Sequence, residues 1–408
     1  MVSCSLNNCL KTWVHYSHYP NHLSIVYAPA HTQPCWGRSL FLSRTIVVTA
    51  LLLTTALPGH GGAGIATDGS VGVRQTIAGA NAGAGLFVVP QALGTVAGNN
   101  LFHSFSTFNI DIGQTARFTT STPTLANVIS RVSGGSASQI NGLLQLTAAA
   151  GSTPAFFFIN PAGVIFGAGA AIDVPGAFHV TSADYLTFGN GDRFHASLAQ
   201  GSALSIAAPQ AFGFLGATRA TVVVKDGAAL AMKPTQPISI VAGDIEINNG
   251  SISTQGGDIR VLALGQMAQE VGFADASSNP NDAVTTANGN LSIFNGGGII
   301  SKTFSSNDAG NLKVMVGTIA IDGQGSGIST GIYSLAAHGS TGRAGNVDIT
   351  ATGNLSLRGG EISSDSIGLG DAGMIRVRAG DISIDRQGSI GPTGIFSLAA
   401  CRTYARNW

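Results

Sequence analysis

Few residues in this chain have the types and spacing that chemistry requires. Residues 67–220 carry ten charged side chains, five Asp and five Arg, with no Lys or Glu. The aspartates form no close pair of the kind that shares acid and base duties in hydrolysis. His103, His179 and His195 lack metal-ligand spacing, and strand-surface or cap positions are expected for them. There is no Gly-x-Ser-x-Gly elbow in a strand–helix context, phosphate loop or tandem calcium-binding nonapeptide array. The charged i, i+2 pairs Asp244/Glu246 and Arg376/Arg378 read as solvated strand faces. No catalytic residue, cofactor site or metal site is therefore assigned, and the chain is not expected to be an enzyme.

Composition points to the elements that must carry any site. Gly supplies 56 of 408 residues, and charged residues only 10% beside 44% hydrophobics. That is too little charge for a disordered chain, and the glycines follow no three-residue period. Many short strands with frequent tight turns fit best. The 20 basic and 20 acidic residues cancel without a basic cluster, so no nucleic-acid partner is expected. Cysteine occurs at Cys4, Cys9, Cys35 and Cys401 alone, leaving the body free of disulfides. A chain threaded unfolded through a pore has reason to avoid such cross-links.

From residue 67 onward the hydrophobic pattern has period two, the strand signature. Leu312, Val314 and Val316 alternate with Lys313 and Met315; Val347 and Ile349 alternate with Asp348 and Thr350. Gly-Asn, Gly-Gly and Asp-Gly pairs punctuate the strands. The C-terminal half also repeats. Residues 321–337 (IDGQGSGISTGIYSLAA) return as residues 384–400 (IDRQGSIGPTGIFSLAA), identical at twelve of 17 positions and offset by 63, 384 minus 321. Ala309-Gly310-Asn311 returns as Ala372-Gly373-Met374 at the same step. Repeated strand–turn units mean a solenoid. Three coils per 63-residue unit would give roughly 21 residues each. One such coil buries too little to fold alone, so coils must stack and the ends must be capped.

Residues 45–57 form an apolar run too short to span a bilayer and suited to a signal-peptide core, with Arg38 and Arg44 ahead of it. Gly64-Ile65-Ala66 offers cleavage after Ala66. The expected division is an extended signal region at 1–66, a first domain at 67–220, a repeat region at 221–400, and a non-repeat tail at 401–408. That tail has no capping pattern and suggests truncation of a longer protein.

Several motifs in order carry a resemblance. They are Gly98-Asn-Asn-Leu-Phe-His-Ser-Phe105, Phe108 and Gly113, Asn127-Val-Ile-Ser-Arg-Val-Ser-Gly-Gly135, Ser138-Gln-Ile-Asn-Gly142, and Phe157-Phe-Ile-Asn-Pro-Ala-Gly-Val-Ile-Phe-Gly167. Phe178-His-Val-Thr-Ser-Ala183, Leu186-Thr-Phe188, Phe194 and Pro209 continue the series. Residues 67–216 thus resemble the haemagglutination-activity, or two-partner-secretion, domain of the filamentous haemagglutinin family. The resemblance implies an all-β, right-handed parallel β-helix with an N-terminal β cap. It also implies recognition by an outer-membrane transporter carrying periplasmic POTRA domains. The recognition motifs fall on Asn127, Arg131, Gly134, Gly135, Asn160, Pro161, Gly163 and Gly167. Ala162 stands where the family often has a second Asn.

Each of these residues also has a structural reading. Pro161 fixes φ in an Asn-Pro-Ala-Gly turn, Gly163 accepts positive φ, and Asn160 can bond the turn backbone. Arg131 is expected at a plain outward strand position, the alternative being a buried or groove-edge partner such as Asp111 or Asp173. The function implied is a secreted surface adhesin or structural exoprotein of a Gram-negative envelope, exported through the periplasm. Its further partners would be glycans or proteins of host or neighbouring cells. The alternatives are the stalk of a delivered toxin and a polysaccharide-active β-helix.

Overall fold

A computed structural model describes residues 64–78, 85–216, 220–272, 287–323, 325–386 and 392–400. It also places the backbone of three short N-terminal strands, Val14–Tyr19, His22–Tyr27 and Ala30–Thr32. The apolar run 45–57, expected to be a signal-peptide core, and the tail at 401–408 lie outside the described residues.

The alternating sequence folds as a parallel β-helix. After the first coil, which touches the second sheet only through a bridge at Ile110, each coil runs through three strands, one in each of three long sheets of 14, 8 and 11 strands. The coil from Asn127–Val132 passes to Ser138–Ile140, then Leu143–Thr147, and returns beside its start as Ala155–Ile159. Inward side chains stack in registered columns. Ile252, Ile299, Ile332, Ile362 and Ile395 make one such column, every member buried. The twelve largest fully buried side chains are phenylalanines between Phe102 and Phe212. Bulky rings thus fill the first coils and branched aliphatics the later ones.

An N-terminal cap closes the first coil. Ile65–Thr67 runs antiparallel to Asn100–Phe108, and Leu86–Pro90 adds in parallel to Thr115–Thr119. Ile65 is fully buried and pairs with both Phe108 and Ile77. The bond after Ala66 lies inside this strand, so cleavage there would detach Ile65 from the cap core.

The repeat corrects the coil count. Leu312, Val347 and Ile375 follow one another in a single register column, so the 63 residues from 312 to 375 hold two coils, not three. The coils are longer than 21 residues because loops leave the corners. One corner shows what the shared motif does. Ala309-Gly310-Asn311, Ala344-Gly345-Asn346 and Ala372-Gly373-Met374 sit on successive coils; Asn346 N–H donates to Asn311 Oδ1, and Met374 N–H to Asn346 Oδ1 (3.0 and 2.8 Å). A Cβ on Gly310 would come within 1.9 Å of Gly257 O, so the stacked corner excludes any side chain there.

A four-stranded antiparallel sheet (Arg193–His195, Tyr185–Phe188, Pro209–Leu215, Ala268–Gly272) covers the outside of the first coils. Apolar outward residues beneath it, Phe102, Ile129, Phe157, Val241 and Leu262, join Leu186, Phe188, Phe194 and Phe212 in a second core, with buried polar Arg131, His179, Ser239 and Arg260 in the same columns. Beyond the cover the same columns turn polar, with Lys313, Asp348, Thr350, Arg376 and Arg378, and Asp348 pairs with both arginines (3.7 and 3.8 Å). Burial dictates the change, since an outer face needs apolar side chains only where something packs on it. Val241 and Thr350 occupy one column. Val241→Glu is therefore expected to cost more than about 4 kcal/mol and Thr350→Glu less than about 0.5 kcal/mol, measured by urea unfolding.

Candidate functional site

Most of the sequence-predicted residues converge on the corners of the second and third coils. Asn127–Val132 lies between Asn100–Phe108 and Ala155–Ile159, which places Arg131 beside Ser104 on one rung and Ile159 on the next. Its side chain points to the covered outer face and is only 3% exposed. This corrects the outward solvated position expected for it, and neither Asp111 nor Asp173 is its partner. Arg131 Nε donates to Ser104 Oγ (2.7 Å), Nη1 to Ser202 Oγ (2.8 Å) and the His195 carbonyl, and Nη2 to Ser70 Oγ (2.9 Å). The guanidinium carbon stands 4.2 Å from the centre of the Phe194 ring. Asp173 instead accepts from Gln145 (2.7 Å) and pairs with Lys233 at 3.0 Å.

The countercharge is Asp68, which accepts hydrogen bonds from Ser104 Oγ (2.6 Å), Ser133 Oγ (2.6 Å) and the N–H and hydroxyl of Ser70 (2.8 and 2.6 Å). Ser104 and Ser70 each donate to Asp68 and accept from Arg131, so two hydroxyls link the charges. Burial raises the Asp68 pKa, but the bonds from Ser104, Ser133 and Ser70 outweigh it and hold the carboxyl below its usual range. Burial lowers Arg131 to about 10 against the opposing pull of Asp68, which leaves the guanidinium charged at neutral pH. The network ties together the cap loop, the first two coils and the covering sheet. Asp68, Ser70, Ser133 and Ser202 were not picked out from the sequence; the only signal was a serine within the apolar run Leu101-Phe-His-Ser-Phe105.

Asn160 opens the next corner and is fully buried. Its Oδ1 accepts from Ala162 N–H (3.0 Å), and Gly163 N–H returns to the Asn160 carbonyl (2.9 Å), closing the turn. Its Nδ2 reaches back one coil to the Ser136 carbonyl and Ser138 Oγ, both at 3.0 Å. Asn160 thus locks two successive corners, and the bond to position 162 uses backbone, as Ala there permits. Gly163 takes φ +104°, the conformation expected of it. Gly134 and Gly135 are required for different reasons. A Cβ on Gly134 would lie 1.9 Å from Ser106 O, whereas Gly135 has open space and φ +75°.

Two members lie apart from this corner. Gly167 sits at the following one, where a Cβ would strike Asn141 Oδ1 at 2.1 Å. Asn127 is at the other end of its strand, donating to Asn100 Oδ1 (2.8 Å); Asn100 donates in turn to the Ser205 and Ala207 carbonyls (2.8 and 2.7 Å).

Two of the three histidines also depart from expectation. His103 is an interior residue, not a surface or cap-edge one, with its ring against Phe105 and Phe118 and no hydrogen-bond partner for either nitrogen. His179 is buried beneath the covering sheet, stacked on Phe157 (4.5 Å between ring centres) and bonded to Ser239 (2.6 Å). His195 is half-exposed on the covering sheet, beside Tyr185.

Two predictions follow from this chemistry. Removing Arg131 strands Asp68 in a buried position, so Arg131→Met is expected to cost about 3–5 kcal/mol in urea unfolding at pH 7. Burial pushes His103 and His179 down to about 3, while unfolded imidazoles protonate near 6.5. Between those values the unfolded chain binds more protons, so stability falls as pH drops from 6.5 toward 3, by up to about 1.4 kcal/mol per pH unit for each histidine. His103→Leu should flatten that slope by one proton, measured by urea unfolding at pH 7 and pH 5.

Comparison with known proteins gives this architecture its family. A family model described as the TPS secretion domain matches residues 63–280. Among solved structures, the secretion domain of HMW1 from Haemophilus influenzae is 18% identical, with 67% of this chain and 70% of that one covered at a TM-score of 0.37. The filamentous hemagglutinin secretion domain is 14% identical, with 83% and 99% covered at a TM-score of 0.38. No curated protein matches the sequence. With more than half of its length matched by the family model, the chain belongs to the TPS secretion domain family.

Proposed function

We propose that this chain is a two-partner-secretion exoprotein, bound in the periplasm by the POTRA domains of an outer-membrane transporter while it is still unfolded. In this reading the address comprises Asn127, Arg131, Gly134, Gly135, Asn160, Pro161, Gly163 and Gly167. The observation that carries the reading is the burial of Arg131 and Asn160, both engaged on every side in the folded β-helix. A transporter cannot touch those side chains after folding. One set of residues therefore serves twice, as contacts for the transporter in the extended chain and as locks of cap and corners once outside. Stacking of coils then draws the chain outward, since each new coil finds a strand edge already formed. At the cell surface the repeat region acts as an adhesive or structural rod.

Two measurements test this. Co-expression with its transporter should place the chain in the medium, and expression alone should not; equal amounts in both would end the proposal. Purified POTRA domains should bind chain freshly diluted from urea and fail to bind folded chain. Arg131→Ala and Asn160→Ala should weaken capture of the unfolded form, where their structural roles have no bearing. Equal capture of folded chain would show that some other, exposed surface is read.

A further inference from the structure

The sheet built from Gly298–Thr303, Gly331–Ala336, Glu361–Ser366 and Gly394–Ala400 turns an uncommon set of side chains outward. Tyr333 pairs with Ser363 and Ser363 with Phe396; on the same rungs Gly331 pairs with Glu361 and Glu361 with Gly394. Two aromatic rings therefore stand two rungs apart, about 9.5 Å along the solenoid axis, with a carboxyl-bearing rung between them. Tyr333 and Phe396 hold the same place in the 63-residue repeat, 396 minus 333. The ring returns on every second coil, and the intervening coil supplies Glu361, Ser363 and Asp365.

The rings lie along the sheet. A Cβ on Gly298 would be 3.7 Å from the Tyr333 hydroxyl, although Gly298 sits one rung away and two residues earlier in register. A ring standing off the surface could not reach that point. A Cβ on Gly394 would be 3.9 Å from Cδ1 of Phe396, so this ring too leans over a glycine. Both rings are half-buried. Gly298, itself overlain by the Ile300 side chain (3.1 Å from an added Cβ), and Gly394 give a shallow trough with apolar plates on its floor.

The carboxyls of the middle rung are set for hydrogen bonding and not for ion pairing. Glu361 is only 8% exposed despite its outward position. Burial, with Asp365 nearby, pushes it up to about 6 against a hydrogen bond from Ser329. Asp365 accepts from Ser363 Oγ (2.8 Å) and Leu398 N–H (3.2 Å), and burial raises it as well. Neither has a cation among the influences on its charge. An acidic polymer would meet two carboxyls here, with Lys302, two rungs from Asp365 in the same column, as the basic side chain of these strands. A neutral sugar chain fits: its C–H faces stack on rings, and its hydroxyls donate to carboxylate oxygens, which are strong acceptors.

We propose that this trough binds a neutral oligosaccharide lying along the solenoid axis, with Tyr333 and Phe396 as stacking plates and Glu361 and Asp365 as hydroxyl acceptors. This goes beyond export and does not depend on it. Purified full chain would be titrated calorimetrically with cellohexaose, chitohexaose and maltohexaose, and with hexagalacturonate as the acidic comparator. At least one neutral sugar should bind, and Tyr333→Ala or Phe396→Ala should each weaken it about tenfold. Tyr333→Leu keeps apolar bulk but loses the ring face, so it should weaken binding with the urea midpoint unchanged. The proposal is overturned if no neutral sugar binds, if hexagalacturonate binds more tightly than every neutral one, or if the leucine variant binds as the parent does.

Discussion

Every coil of this protein depends on the hydrogen-bonded edges of the coils above and below it. A strand edge left open is a row of unmet donors and acceptors, and no coil here closes on itself. The cap exists to satisfy the first edge: Ile65–Thr67 and Leu86–Pro90 cover strands that otherwise have neighbours on one side only. The same dependence explains the corners. Backbone must pass directly over backbone, and Gly310 over Gly257, or Gly134 over Ser106, leaves no room for a methyl group. Glycine content is thus a consequence of stacking as much as of turning.

That constraint decides what could be read in advance. Alternation along 312–316 and 347–351 showed strands with one face inside, and both strands are present with Leu312, Val314, Val347 and Ile349 buried. The positive φ of Gly163 was legible for a similarly local reason. The number of coils per repeat was not. Similarity at an offset of 63 marks coils that share loop lengths, whereas the intervening coil keeps only its corner, Ala344-Gly345-Asn346, and its inward residues. A repeat in sequence counted loops; the stack counts rungs.

Arg131 shows the other limit. Period-two alternation puts it on the outer face, and a charged residue on an outer face is ordinarily wet. The four-stranded sheet that covers that face begins more than fifty residues later, at Tyr185, and takes its last strand from Ala268–Gly272. Nothing local to residues 127–132 announces it. The signal lay in the company Arg131 keeps: outward Phe102, Ile129 and Phe157 are apolar where solvent would favour polar groups, and such a face demands a cover. Read together, those residues imply that Arg131 is buried and must find a carboxylate.

Burial of the Asp68–Arg131 pair also bears on the order of events. An isolated buried ion pair is weak evidence for stability, because desolvation offsets most of the attraction. Here the two charges come from separate parts of the chain and meet only through hydroxyls from Ser70 and Ser104, with Ser202 and the His195 carbonyl arriving from the covering sheet. Arg131 cannot be satisfied until cap, first coils and cover are all in place. A partly assembled N-terminus leaves it charged and uncompensated, which penalises folding before those segments are present together. For a chain that must stay extended while its first coils are captured, that penalty works in the right direction. Once residues 65–272 are free to assemble, the same contacts act together and favour the closed form over any partial one.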